Sequence, residues 1–260
     1  MADPTPYPGI NALLDLFLDC VQAILGDRFA GLYLHGSLAA GEFDPARSDI
    51  DFLVATAGEL PADLIPALAA MHERIAATSP RWAAMLEGSY IPLDALRRYD
   101  PARAVHPHLT MGDGLHVEHH DAAGVILRHV LREQGIVLAG PSPHTLIEPV
   151  MPDDLRRAVV DLFRSWWAPM IDNPARLQSP AYQTYAVLTM CRILFTLHHG
   201  AVVSKSVAAG WAQAELGDRW AVLIDRALSW RPGIPFARLL EVLDLIRHTR
   251  DRIQRAAVCS

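Results

Sequence analysis

Between Leu32 and Ala55 the chain reads LYLHGSLAAGEFDPARSDIDFLVA, and this stretch holds the residue types best suited to chemistry. A Gly-Ser pair, Gly36 and Ser37, ends one apolar run, and Ser48-Asp49-Ile50-Asp51 opens the next. Side chains on a strand alternate faces, so Asp49 and Asp51 point the same way. Two adjacent carboxylates repel unless a cation lies between them. An all-oxygen pair suits a hard divalent ion, magnesium above all. The flanks LYLH and FLVA read as buried strands, and acids entering a buried strand cost free energy unless paired or metal-bound. Glycine lets backbone approach phosphate oxygens closely, and the Ser37 hydroxyl and N–H are donors to them. Ser48 offers a second hydroxyl, and both serines have an alternative use as turn caps. The pattern points to magnesium-assisted chemistry on a nucleoside triphosphate.

Other residues invite a role with less support from spacing. Glu87 lies in the apolar run AAMLEGSYI, either facing solvent or a strand-end partner, or joining Asp49 and Asp51. Arg192 sits in the apolar stretch TMCRILFTLHHG and must find a partner there, an ion pair being the plain alternative. Lys205 opens a helix and has solvation as its alternative. His106, His108, His116, His119 and His120, with Asp121, are numerous but match no standard zinc spacing, and no cysteine is near, so no zinc site is expected. They are expected to line a substrate cleft, where Glu118 or Asp121 would attract an ammonium group. Trp166, Trp167, Trp211, Trp220 and Trp230 fall at helical spacing and read as core. His198-His199 complements a helix C-terminus.

The elements that must position these residues follow from periodicity. Asn11 to Leu25 is a helix ended by Gly26, with Leu13, Leu14, Phe17, Leu18, Val21, Ile24 and Leu25 at helical spacing. Strands are expected over Gly31 to His35, Ile50 to Ala55 and Ala83 to Ile91, with a helix over Pro61 to Ala77 between the last two. A short helix, Leu93 to Tyr99, follows Pro92. Pro101 to His120, rich in Pro, Gly and His, is expected to form loops with one short strand. Gly124 to Gln134 is a helix and Gly135 to Leu138 an edge strand. From Pro152 only helices are expected: Asp153 to Ile171, Pro180 to His199, Lys205 to Leu216, Arg219 to Ser229 and Phe236 to Val258. The fold class is therefore α+β: a mixed sheet flanked by helices over residues 1–150, then an all-α helical bundle over 151–260.

Composition narrows the setting. The 260 residues are 51% hydrophobic and 20% charged, with a formal charge of −6 and a mean hydropathy of +0.16. That charge argues against a protein that grips nucleic-acid backbone, and suits a cationic small substrate. Cys20, Cys191 and Cys259 lie far apart, as thiols of a reducing compartment. MADPTPYPGIN reads as no signal peptide, and no apolar run is expected to span a bilayer. A cytoplasmic monomer is the expectation.

Gly36-Ser37 followed by Asp49-x-Asp51 resembles the signature of the nucleotidyltransferase superfamily that includes DNA polymerase beta. From Leu32 through the helical half, the chain is most similar to the aminoglycoside adenylyltransferases that modify spectinomycin and streptomycin. The resemblance implies a nucleotidyltransferase domain followed by a helical domain that clamps substrate and ATP. It implies Glu87 as general base, and Arg192 and Lys205 as cations reaching the nucleotide phosphates. Members acting on streptomycin carry a tryptophan and an aspartate where this chain reads MGDGLHVEHHD and SPAYQTYAV, so spectinomycin is the favoured acceptor. The implied reaction is transfer of AMP from ATP to a hydroxyl of an aminoglycoside or aminocyclitol. The alternatives are a nucleotidyltransferase acting on another small molecule, a protein or RNA, in the manner of toxin–antitoxin pairs, and a nucleotide sensor without turnover.

Overall fold

The computed structural model describes residues 3–258, which leaves Cys259 outside it. The chain divides into two compact units, Met1–Pro149 and Val150–Ser260.

The first unit is built on a six-stranded sheet in the order β5-β4-β3-β2-β1-β6. Its strands are β1 (Phe29–Leu34), β2 (Ile50–Thr56), β3 (Leu86–Pro92), β4 (Val105–Thr110), β5 (Gly114–His119) and β6 (Ile136–Ala139). β2 and β3 run parallel, and every other neighbouring pair is antiparallel, which makes the sheet mixed. The parallel pair needs a crossover. It is supplied by the helix α3 (Leu64–Thr78), which packs against α1 (Pro8–Leu25). Both bury their apolar stripes on one face of the sheet. Ile10, Leu13, Leu14, Phe17 and Val21 of α1 meet Leu32 and Leu34 of β1, Phe52 and Val54 of β2, and Leu68, Met71 and Ile75 of α3.

The expectation that no apolar run reaches membrane-spanning length is corrected by α1. With the turn that follows, Pro8–Arg28 is long and apolar enough to cross a bilayer by length and composition alone. Core helices of soluble proteins pass the same test. Here the face carrying Ile10, Leu14 and Phe17 is fully buried against the sheet.

A second correction concerns residues 101–120, expected as loops with one short strand. They form the β4–β5 hairpin, which extends the sheet beyond β3. The turn Met-Gly-Asp-Gly supplied the signal, because it separates two runs whose side chains alternate, VHPHLT and LHVEH. Pro107 is tolerated because β4 pairs with β3 only through Gly88–Leu109 and Ser89–His108. Smaller differences lie at element ends. The strand expected from Ala83 begins at Leu86, after a single helical turn at Pro80–Ala83.

Among the described residues of the second unit every regular element is a helix. In it, Asp153 to Ile171, expected as one helix, is Pro152–Leu162 followed by a π turn and a 3-10 turn, since Pro169 cannot continue an α ladder. Pro180–His199, Lys205–Leu216, Asp218–Ser229 and Leu239–Val258 complete it. Trp167 and Trp220 are core, as expected, whereas Trp166 is exposed under the Arg176 guanidinium.

Candidate active site

Alternation along the central strands builds the site. On the sheet face away from α1, Leu53 and Ala55 of β2 and Ile91 of β3 are buried together with Tyr33 of β1. The same face continues back along β2 to Asp51, and along β3 to Ser89 and Glu87. The parallel register pairs Asp51 directly with Glu87. One end of this face is therefore apolar and closed by core, and the other carries two carboxylates on paired positions of adjacent strands, whose backbones run roughly 4.8 Å apart. Asp49 sits just ahead of β2, and all three acids are half-buried.

The turn after β1 completes the arrangement. The His35 N–H donates to the Asp51 carbonyl at 3.1 Å, which locks the end of β1 to β2. The Gly-Ser turn is a single helical turn, Gly36–Ala39, entered through Gly36 at φ +62°. A Cβ at Gly36 would lie 2.7 Å from Asp51 Cγ and collide with the carboxylate, so the acid packs directly on the glycine backbone. The Ser37 hydroxyl oxygen is buried and has no hydrogen-bond partner among the described residues. An orphaned buried hydroxyl is costly, and in this position it suits an oxygen-rich ligand. Ser48 takes the turn-capping alternative, its Oγ accepting from Asp44 N–H at 3.0 Å. The carboxylate donor set fits an oxygen-preferring divalent ion, and Asp49 and Asp51 are the residues that would hold it.

Glu87 has a second neighbourhood that the spacing of the acids did not reveal. His108, opposite Ser89 across the β3–β4 pair, brings Nε2 to 4.0 Å from Glu87 Oε1 and 3.9 Å from Glu118 Oε1. Its other ring nitrogen is 2.8 Å from Ser89 Oγ. His116 contacts Glu118 at 3.0 Å, which lifts its pKa. Burial acts the opposite way on His108, which lies below the ordinary imidazole value, and holds His106 and His120 down to about 4. His106 and His120 are neutral at pH 7. Their signal was a period of two, His106-His108 and His116-Glu118-His120, which a loop assignment hides.

Arg192 and Lys205 belong to the second unit. Arg192 is half-buried in Pro180–His199 between buried Cys191 and Ile193. Tyr185, seven residues earlier, lies on the same side of that helix. Lys205 is the first residue of Lys205–Leu216, after Ser204, whose Oγ caps the helix by accepting from Val207 N–H at 3.3 Å. Its Nζ stands 5.9 Å from the Tyr185 ring centroid.

Comparison with known proteins agrees with this anatomy. Residues 145–253 match the family model described as aminoglycoside adenylyltransferase, C-terminal domain, and residues 14–81 match that of a nucleotidyltransferase domain. Together the two matches support an aminoglycoside adenylyltransferase-like nucleotidyltransferase. It is an enzyme of the nucleotidyltransferase class. Among solved structures it is similar to spectinomycin adenyltransferase AAD(9) from Enterococcus faecialis with ATP and spectinomycin. That match has a TM-score of 0.74 and 18% identity, over 94% of this chain and 98% of the other. At that identity the likeness establishes the fold. A toxin–antitoxin structure with AMP-PNP overlaps over 63% of this chain and 94% of its own, at 17% identity, but its TM-score is 0.29.

Proposed function

We propose that the enzyme transfers AMP from ATP to a hydroxyl of an aminoglycoside or aminocyclitol, with spectinomycin the favoured acceptor, and releases pyrophosphate. The observation that carries this reading is the in-register pairing of Asp51 with Glu87, beside a Gly-Ser turn whose buried hydroxyl lacks a partner among the described residues. The spectinomycin adenyltransferase of like fold binds ATP and spectinomycin, which supports the choice of substrates. A negative chain charge suits a polycationic acceptor.

Each residue then has a task. Asp49 and Asp51 would hold magnesium, which when bound offsets triphosphate charge and makes the α-phosphorus more electrophilic. The Gly36 backbone, packed on the Asp51 carboxylate, and the Ser37 hydroxyl are assigned to the phosphate oxygens, and Ser48, whose Oγ accepts from Asp44 N–H, is assigned a further contact to them. Glu87 accepts the proton of the acceptor hydroxyl as its oxygen attacks the α-phosphorus. The bond from the α-phosphorus to the bridging oxygen breaks, and pyrophosphate carries away the electron pair. Arg192, a two-pronged donor, and Lys205, a mobile point charge, are assigned to the charge on the leaving group. Most of the acceleration comes from positioning and fixed charge. The reaction draws on cytoplasmic ATP, the compartment we assign.

The test is an incubation with labelled ATP and a panel of aminoglycosides, read by mass spectrometry for an added AMP. Asp49→Asn, Asp51→Asn and Glu87→Gln are expected to fold and to lose transfer. Normal pyrophosphate release by all three variants would refute the site, and label on a polypeptide instead of an antibiotic would replace the acceptor.

A further inference from the structure

We propose that the β4–β5 hairpin carries a second metal site, for a zinc-class transition metal, formed by His108, Glu118 and His120. One ligand atom from each of these residues lies within 4.8 Å of the others. Zinc bonds to imidazole nitrogen at about 2.0–2.1 Å and to carboxylate oxygen at about 2.0–2.2 Å, so tetrahedral ligands stand roughly 3.4 Å apart. Side-chain rotations of a fraction of an ångström to an ångström close the cluster on an ion, with no movement of the strands.

The donor chemistry separates this site from the aspartate pair. Two imidazoles and a carboxylate favour zinc, cobalt or nickel, whereas Asp49 and Asp51 offer only hard oxygens. The surroundings are also arranged as such sites are. A histidine that binds metal through Nε2 must carry its proton on Nδ1 and hand it to a fixed acceptor. Ser89, 3% exposed, stands 2.8 Å from His108 Nδ1 in that role. His120 Nε2 is buried and has no hydrogen-bond partner among the described residues. Glu118 and Glu87 both face His108 Nε2, at 3.9 Å and 4.0 Å, so two carboxylates converge where a cation would balance them. The site adjoins Glu87 but shares no ligand with the aspartate pair, and Asp51→Asn leaves all three ligands in place.

The experiment uses untagged, full-length protein freed of metal by a chelator and titrated with cobalt(II) in excess magnesium, followed by ligand-field absorption and displacement by zinc. One equivalent is expected to bind the wild-type protein and Asp51→Asn alike. His120→Gln, Glu118→Gln and His108→Gln should each lose that uptake, and Ser89→Ala should weaken it by about 10–100-fold. His119→Ala, an exposed neighbour, should bind as wild type does. Circular dichroism of each variant distinguishes lost ligands from lost structure. No uptake by the wild-type protein, or undiminished uptake by folded His120→Gln and Glu118→Gln, overturns the site; loss in Asp51→Asn alone would reassign the ion to the aspartate pair.

Discussion

The contact between Gly36 and Asp51 sets up a test in which backbone strain and active-site geometry separate. Gly36→Ala would introduce a Cβ at 2.7 Å from Asp51 Cγ, where ordinary van der Waals contact begins near 3.4 Å. The nearer carboxylate oxygen must withdraw further than Cγ, by roughly 1 Å, and a misplacement of that size in a reacting constellation costs on the order of 10²-fold in rate. An alanine at φ +62° also costs about 1–2 kcal/mol of backbone strain, which by itself would lower stability and not turnover. Gly41 is the matched control. It has φ +70°, and a Cβ there would meet nothing within 4 Å. Gly41→Ala should therefore lose a similar 1–2 kcal/mol of stability and retain its kcat/KM, while Gly36→Ala loses both. The assay pairs chemical denaturation with steady-state AMP transfer to whichever acceptor proves best. Equal activity in the two variants, or a loss in Gly36→Ala traced wholly to unfolded protein, would refute the claim that this glycine holds the Asp51 carboxylate in place.

Three further expectations follow from single residues. Ser37→Ala removes a buried hydroxyl without a partner among the described residues, so stability should hold or rise by about 1 kcal/mol while KM for ATP climbs roughly 10-fold or more; a drop in melting temperature with KM unchanged would contradict it. His72, buried with Nε2 2.7 Å from the Tyr90 hydroxyl, has its pKa lowered to about 4 by burial. The unfolded chain takes up that proton near pH 6.5 and the native one does not, so stability is complete above pH 6.5 and falls by about 3 kcal/mol as pH drops to 4. Thermal melts of His72→Gln across that window should show a shallower slope, and identical slopes would assign the loss to other groups. Arg128 is 3% exposed and donates to the Gly124 and Ala95 carbonyls at 2.7 and 2.8 Å. Arg128→Ala should cost about 3 kcal/mol in urea denaturation, and Arg128→Met, which keeps the stem, should cost nearly as much. Full stability in the methionine variant would show that packing, not the donated hydrogen bonds, matters there.

What the sequence disclosed and what it withheld have one physical origin. Asp51 and Glu87 stood out because each lies in an apolar run, with Asp49 just ahead of the first, and a carboxylate in such a run needs a reason to be there. The direct pairing of Asp51 with Glu87 was not legible, since register in a parallel pair depends on how the crossover helix α3 packs, which no local pattern fixes. The helices of the second unit were legible through their period of 3.6 and their proline starts, but the π turn at Phe163–Trp167 was not, because it interrupts the ladder without altering the apolar stripe. The hairpin was lost for the opposite reason. Histidine is neither plainly apolar nor plainly charged, so an alternating strand such as VHPHLT, with a proline at its third position, reads as irregular. Yet that polarity is what the position demands. β4 and β5 continue the sheet face that β2 and β3 fill with core at one end and acids at the other. Side chains placed beside Glu87 there must tolerate burial while staying polar, and neutral imidazoles do both. The same property that concealed these strands from pattern reading makes them suitable neighbours for the Glu87 carboxylate.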